Sequence, residues 1–130
     1  MSSIFLTKHQ TLATALGSSF PTYSIAKSEI ELEQGTFPAI GLFLGISEHS
    51  KESIAYAPIS YTYILSVFDI FDIDDPADYS SKQSSTFEKL EDVITTMGYE
   101  VLTDIEPVVS IGIGEGQFIT GWITTIIFNA

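Results

Sequence analysis

Residues 59–73, Ile-Ser-Tyr-Thr-Tyr-Ile-Leu-Ser-Val-Phe-Asp-Ile-Phe-Asp-Ile, decide the fold of this chain. The run contains neither glycine nor proline and predicts one unusually long β-strand. At roughly 3.3 Å per residue it would extend about 50 Å, well beyond the usual length of about five or six residues. Such a strand is hard to enclose in a chain of 130 residues. We expect it to bend at a bulge or to project past its own core, and both outcomes favour a protein that joins others.

The alternation along this strand changes phase near residue 69. Asp69 falls in the register of the preceding apolar face, whereas Phe68 and Ile70 place apolar side chains on the other face. The preceding apolar face consists of the odd positions Tyr61, Tyr63, Leu65 and Val67. This pattern predicts a phase slip near Asp69, through a bulge or a change of environment. We expect the first half of the strand to belong to the domain's own sheet and the second half to contact a neighbour.

The rest of the chain predicts two helices and several more strands. Helical spacing of apolar residues indicates a first helix over residues 3–17, with Gly17 just past its end. Ser85 and Glu88 form a capping box, which predicts that a second helix begins at Ser85 and is capped by Gly98. The other predicted strands cover residues 28–33, 39–45, 99–103, 107–113 and 118–128.

This order of elements, α-β-β-β-α-β-β, predicts a single α+β domain over residues 1–130. We expect a mainly antiparallel sheet of about five or six strands packed against two helices. The strand over residues 39–45 is nearly all apolar, which favours a central position covered on both faces.

The charge balance restricts the classes of partner. The chain has five lysines, no arginine and 17 acidic residues, so its net charge is −12 at pH 7. Because duplex binding needs clustered cations, we expect no attractive contact with nucleic acid. A negatively charged conduit would still let DNA pass without adhering to it. The apolar runs are too short for a membrane span and the N-terminus does not resemble a signal peptide, so we expect a soluble protein without a membrane partner.

The residue pattern predicts no enzyme, no cofactor and no metal site. The absence of cysteine excludes disulfides and thiolate chemistry. His9 and His49 are predicted to be surface residues without a catalytic partner. The best metal candidate fails the EF-hand template, because Pro76 and Ala77 stand where an oxygen ligand and a glycine belong. That candidate is the acidic cluster of Asp69, Asp72, Asp74, Asp75 and Asp78.

Glu29, Glu31 and Glu33 alternate with Ile30 and Leu32, which predicts one carboxylate face on the strand over residues 28–33. Charged residues of this kind protect a sheet edge from stray pairing. The alternative function is an acidic wall that faces a conduit. Both interpretations remain open at this point.

The order of elements resembles the tail-terminator and neck (head–tail connector) proteins of tailed bacteriophages over nearly the whole chain. The resemblance rests on a first helix ending in Phe20-Pro21, an entry segment over residues 35–40, and the long strand. An acidic loop, a helix closing with Met97-Gly98-Tyr99 and a final strand from residue 121 to 128 complete it.

The resemblance implies a virion protein, made in the host cytoplasm, that forms a ring of six or twelve copies and contacts neck, portal or tail-tube proteins. DNA would pass through the ring without specific binding, and Glu29, Glu31 and Glu33 are the candidate acidic lumen face. The long loops and the second half of the long strand supply the candidate subunit interface. Its residues are Glu48, His49, Lys51, Tyr56, Phe68, Ile70, Phe71, Asp74 and Asp75.

The alternative is a small acidic inhibitor or immunity protein that binds a basic nuclease or toxin by charge complementarity. It explains the net charge of −12 equally well. It explains the long strand less well, because a monomeric inhibitor does not need one.

Overall fold

A computed structural model of the chain describes residues 4–49, 59–114 and 116–129. The described part forms a six-stranded sheet and three helices. In chain order the elements are α1 (Ile4–Ser19), β1 (Ser24–Ala26), α2 (Glu29–Gln34), β2 (Ala39–His49), β3 (Ile59–Phe71), α3 (Pro76–Met97), β4 (Glu100–Val101), β5 (Glu106–Gly112) and β6 (Phe118–Asn129).

The long strand β3 lies in the middle of the sheet. It is antiparallel to β2 on one side and to β6 on the other. The strand order is β1-β2-β3-β6-β4, and β5 also pairs with β6, on the edge away from β3. The predicted α+β fold with a mainly antiparallel sheet is therefore confirmed. One pair, β1 with β2, is parallel, and the sheet is accordingly mixed.

Two unequal apolar clusters lie on the two faces of the sheet. The larger cluster is covered by α1 and α3, where Leu16 and Leu90 pack over Leu65 and Val67. We call this side the helix face. The smaller cluster includes Leu32 of α2 and Phe68 of β3, and we call this side the open face. Because β3 contributes side chains to both clusters, its apolar residues on both faces follow directly from its central position.

The phase change near Asp69 results from a change of environment and not from a bulge in β3. The pairing of β3 with β6 continues without a shift from Ser60 to Phe71. Pairing with β2 stops at Phe68, so the last residues of β3 have a partner strand on one side only. The register shift lies instead in β2, between Leu44 and Ser47. The carboxylate of Asp69 accepts a hydrogen bond of 2.8 Å from the backbone N–H of Ile70.

The predicted strand over residues 28–33 is wrong, because Glu29–Gln34 form the short helix α2. Ser28 is its N-cap, and its hydroxyl accepts a hydrogen bond of 3.2 Å from the Glu31 backbone N–H. The Glu31 carboxylate in turn accepts a 3.3 Å bond from the Lys27 backbone N–H. Ser28 and Glu31 therefore act as a capping pair, and this local signal overrides the strand-like alternation.

Helix α3 begins at Pro76, nine residues before the predicted start at Ser85. Asp75 is the N-cap and its side chain accepts a 3.0 Å bond from the Ala77 backbone N–H. Proline at the first helical position fits, because its missing N–H has no intrahelical partner there anyway. Ser85 lies inside the helix and donates to the Lys82 carbonyl oxygen at 3.3 Å. The predicted cap at the other end is confirmed, since Gly98 has a left-handed φ of 67°.

Replacing an observed N-cap residue is expected to destabilise the protein, whereas replacing Ser85, which lies inside α3, is not. Ser28→Ala and Asp75→Ala should each lower the free energy of unfolding by about 1 kcal/mol. Ser85→Ala, the matched control, should be neutral or slightly stabilising, because alanine has the best propensity for a helix interior. Urea unfolding of the three variants measures the differences. Equal losses for Ser28→Ala and Ser85→Ala would contradict the observed helix boundaries.

His9 is buried, so the prediction of a surface histidine at this position is wrong. Its Nε2 lies 2.5 Å from the Leu42 carbonyl oxygen, and its ring stacks on Tyr63 at 5.7 Å. The Tyr63 hydroxyl donates to the Phe5 carbonyl oxygen at 2.9 Å. Desolvation of Tyr63, with a smaller contribution from Tyr61, raises the pKa of Tyr63 to about 12. These contacts fix α1 to the end of the sheet where β3 begins.

Candidate functional site

An apolar groove of about 270 Å³ runs along the open face of the sheet. Its floor is formed by strands β2, β3 and β6, and its walls by α2 and by β5 with the turn that follows. Apart from two glutamates, every residue that lines it is apolar. The apolar lining consists of Leu32, Phe43, Ile64, Phe68, Val108, Ile111, Ile113, Ile119 and Ile123.

Glu29 and Glu33 lie at the rim of the apolar groove. They are four residues apart on α2 and therefore share one side of the helix. Both are exposed, and neither carboxylate has a hydrogen bond or ion pair within the described ranges. Glu31 does not join them, because its carboxylate caps the helix. The predicted single row of three carboxylates is therefore wrong, since it required a strand.

None of the four described lysines forms an ion pair with that rim. Lys8 lies over the Phe128 ring, and the Lys27 ammonium donates to Gln10 at 2.7 Å. Lys82 and Lys89 pair with aspartates of their own helix, at 3.7 Å and 3.2 Å respectively. The fifth lysine, Lys51, lies outside the described residues. The apolar groove thus keeps an uncompensated negative rim in the described part of the chain.

The two sides of the sheet present strand edges. On one side β1 pairs only with Ala39–Gly41, so the described chain gives the rest of β2 no outer partner strand. On the other side β5 pairs with β6 alone. On β5 Val109 is 63% exposed and Ile111 is 41% exposed. A strand edge with free backbone groups and exposed apolar side chains is a template for pairing with another strand.

The predicted interface residues do not form one surface, and two of them, Phe68 and Phe71, are buried within the domain. Phe71 is buried against Tyr79 and Phe118, so it belongs to the domain's own fold. Phe68 is also buried, in the floor of the apolar groove, and Ile70 packs against the same cluster.

Two further predicted interface residues, Glu48 and His49, lie at the end of β2. The backbones of Glu48 and His49 pair with the start of β3. Lys51 and Tyr56 lie outside the described residues.

The acidic loop after β3 is organised by backbone hydrogen bonds. The Asp72 backbone N–H donates to Asp78 at 2.7 Å, and the Asp74 backbone N–H donates to Asp72 at 3.0 Å. Asp74 itself is exposed, whereas Asp75 is the N-cap of α3. Within residues 4–49, 59–114 and 116–129, no three acidic or histidine side chains are grouped closely enough to hold a metal ion. The Asp75 carboxylate caps α3, and those of Asp72 and Asp78 accept backbone hydrogen bonds within the same turn.

Trp122 lies on the helix face, not in the apolar groove. Its Nε1 donates to the Gln83 carbonyl oxygen at 2.8 Å, and its ring meets Phe87 edge-on. The groove and the two strand edges remain as surfaces that offer apolar side chains or backbone groups to other molecules in the described part of the chain. The sequence did not predict the groove, because its lining comes from five separate elements and the turn after β5.

Comparison with protein-family models gave no match for this chain, and comparison with curated protein sequences gave none either. None of the helices in the described part combines the length and apolar character needed to cross a membrane.

Proposed function

We propose that this protein is a structural protein of a phage virion that forms a closed ring at the neck or at the end of the tail, as a tail terminator or a head–tail connector. It carries out no catalysis. Neighbouring neck, portal or tail-tube proteins contact the ring, and DNA passes through it without specific binding. The ring contains six or twelve copies, in line with the family that the sequence resembles.

The observation that carries this proposal is the pair of strand edges on opposite sides of one sheet. Different strands form the two edges, β2 on one side and β5 on the other. A contact between the β5 edge of one copy and the β2 edge of the next is heterologous, and a heterologous contact closes into a ring when its rotation divides a full turn. An added strand supplies the missing backbone hydrogen bonds and covers Val109.

The charge of the chain supports a conduit for DNA. Each copy contributes −12, and no arginine is present to grip a phosphate. A ring of such copies concentrates negative charge around its opening, and the duplex is repelled from the wall.

The alternative function, an inhibitor of a basic nuclease or toxin, is supported by the unpaired Glu29 and Glu33 beside an apolar surface. Such an inhibitor acts as a monomer in a complex with its target and needs neither strand edge. The two functions therefore differ in the assembly state of the purified chain.

The genes that flank this one test the assignment to a virion. We expect neighbours that encode portal and tail proteins. A neighbouring gene for a nuclease or toxin, with no virion genes nearby, would contradict the proposed function and favour the inhibitor.

A further inference from the structure

We infer that the apolar groove binds a segment of a different protein that presents a bulky apolar side chain next to lysine or arginine. The inference uses the groove and its rim, whereas the proposed ring uses the strand edges. The two can therefore fail independently.

The lining of the groove favours a protein side chain as its occupant. Its volume of about 270 Å³ is close to the lower limit of the roughly 300–1,000 Å³ usual for small-molecule sites, so the lining distinguishes the two kinds of occupant. The lining offers aliphatic and aromatic contacts and few polar groups that could orient a polar ligand. A groove of this kind accommodates one or two large apolar side chains, which act as anchors for a longer segment.

The negative charge of the rim favours a partner with a lysine or arginine beside its apolar anchor. Glu29 and Glu33 are exposed and have no partner in the described part of the chain, so a cation that arrives with the apolar anchor meets two free carboxylates. Glu29 and Glu33 need not break an existing salt bridge in the described part of the chain to pair with this cation. Opposite charges at the rim of an interface fix the partner's identity and orientation.

The same charges argue against a second copy of this chain as the occupant. The four described lysines already have contacts, which are an aromatic ring for Lys8, Gln10 for Lys27, and aspartates for Lys82 and Lys89. To place a cation at the rim, a second copy would have to give up one of these contacts, whereas a more basic partner carries additional cations. The occupant is therefore a different and more basic chain.

Isoleucine methyl groups provide the readout for a test. Ile64 and Ile123 line the groove, whereas Ile94 packs on the helix face and serves as the internal reference. The probe is a short synthetic peptide with two adjacent leucines between pairs of lysines. Two matched peptides carry glutamate or glutamine in place of the lysines.

Titration followed by methyl NMR should shift the Ile64 and Ile123 signals and leave Ile94 unchanged. The lysine peptide should bind roughly 2- to 30-fold more tightly than the glutamine peptide at low salt, the range that two exposed charge pairs provide. The difference should disappear at about 1 M salt, where the Debye length is about 3 Å.

Charge variants then assign the preference to the rim. Glu29→Gln/Glu33→Gln should abolish the preference for lysine, and Glu29→Lys/Glu33→Lys should reverse it in favour of the glutamate peptide. Glu88→Lys/Glu91→Lys is the matched control on the exposed side of α3, and it should keep the preference of the unmodified chain.

Three results would overturn the inference. The first is equal binding of all three peptides, and the second is the absence of any groove shift at high peptide concentration. The third is a shift of Ile64 and Ile123 with protein concentration alone, which would identify a second copy as the occupant. Repeating the measurement on the Val109→Asp chain, which is expected not to form rings, separates this outcome from the effect of ring formation: a shift that persists comes from a second copy in the groove, because Val109 does not line it.

Discussion

Val109→Asp is expected to leave the chain folded and to prevent it from forming a ring. Val109 lies on the outer strand β5, and 63% of its surface is exposed, so its own domain does not need it for packing. In the proposed ring this side chain is covered by the β2 edge of the next copy. An unpaired carboxylate buried at a contact costs several kcal/mol, and about 3 kcal/mol weakens each contact roughly a hundredfold.

Analytical ultracentrifugation measures the particle mass of the variant and shows whether it forms rings. Ile4→Asp is the matched control, since Ile4 is 65% exposed on the first turn of α1 and belongs to neither edge strand. It should assemble as the unmodified chain does. Rings of normal size from the Val109→Asp chain would exclude β5 from the subunit contact.

Gly121→Ala is expected to lower the free energy of unfolding strongly. Gly121 lies in β6 between β3 and β5, opposite Phe68 and Val108. A Cβ atom at this position would overlap the Val67 carbonyl oxygen and lie 2.8 Å from Phe68 Cδ1. The obstacle includes backbone of the central strand, which cannot move without breaking its pairing. We expect a loss of about 3 kcal/mol in the free energy of unfolding.

Gly17→Ala is the matched control for this substitution. Gly17 lies within α1, which continues to Ser19 although the sequence predicted its end before Gly17. A Cβ atom there meets only Ile25 Cγ1, at an ordinary contact distance of 3.7 Å. Alanine should stabilise the helix by about 0.5–1 kcal/mol. Urea unfolding below the assembly concentration measures both variants, and a Gly121→Ala chain within about 0.5 kcal/mol of the unmodified one would contradict the close approach of β3 and β6.

The sequence predicted the central part of the fold because β3 and its neighbours carry strong local signals. Thirteen residues without glycine or proline form β3 as one strand, and β6 was predicted to within one residue of its observed end. Errors occurred where two local signals compete. At residues 28–33 the alternation of glutamate with apolar residues favours a strand, but Ser28 and Glu31 cap a helix.

Helix α3 shows the opposite case, in which the capping rule was applied to the wrong serine. Ser85 and Glu88 have the spacing of a capping box, yet the helix starts at Asp75–Pro76. Packing explains the longer helix, because Tyr79 contacts Phe71 and the Gln83 side chain donates to the Thr120 hydroxyl. These tertiary contacts stabilise a serine-rich turn of helix that has weak propensity of its own.

The candidate surfaces were only partly predictable. The acidic character of residues 29–33 was recognised, but its relation to a groove depends on α2 crossing the open face. Ile64 and Ile123 belong to strands far apart in the sequence, and their side chains meet only because β3 pairs with β6. The free strand edges depend on the topology of the whole sheet, which no short motif specifies.

The mass of the purified chain over a wide range of concentrations tests the central claim, ring formation through the two sheet edges, most directly. Measurements at about 0.15 M salt or above reduce the repulsion between acidic copies, since the Debye length there is about 8 Å or less. We predict particles of six or twelve times the chain mass of 14.2 kDa, seen as closed rings by electron microscopy. A particle of 14.2 kDa at every concentration, with neck or tail proteins present as well as without them, would contradict the account.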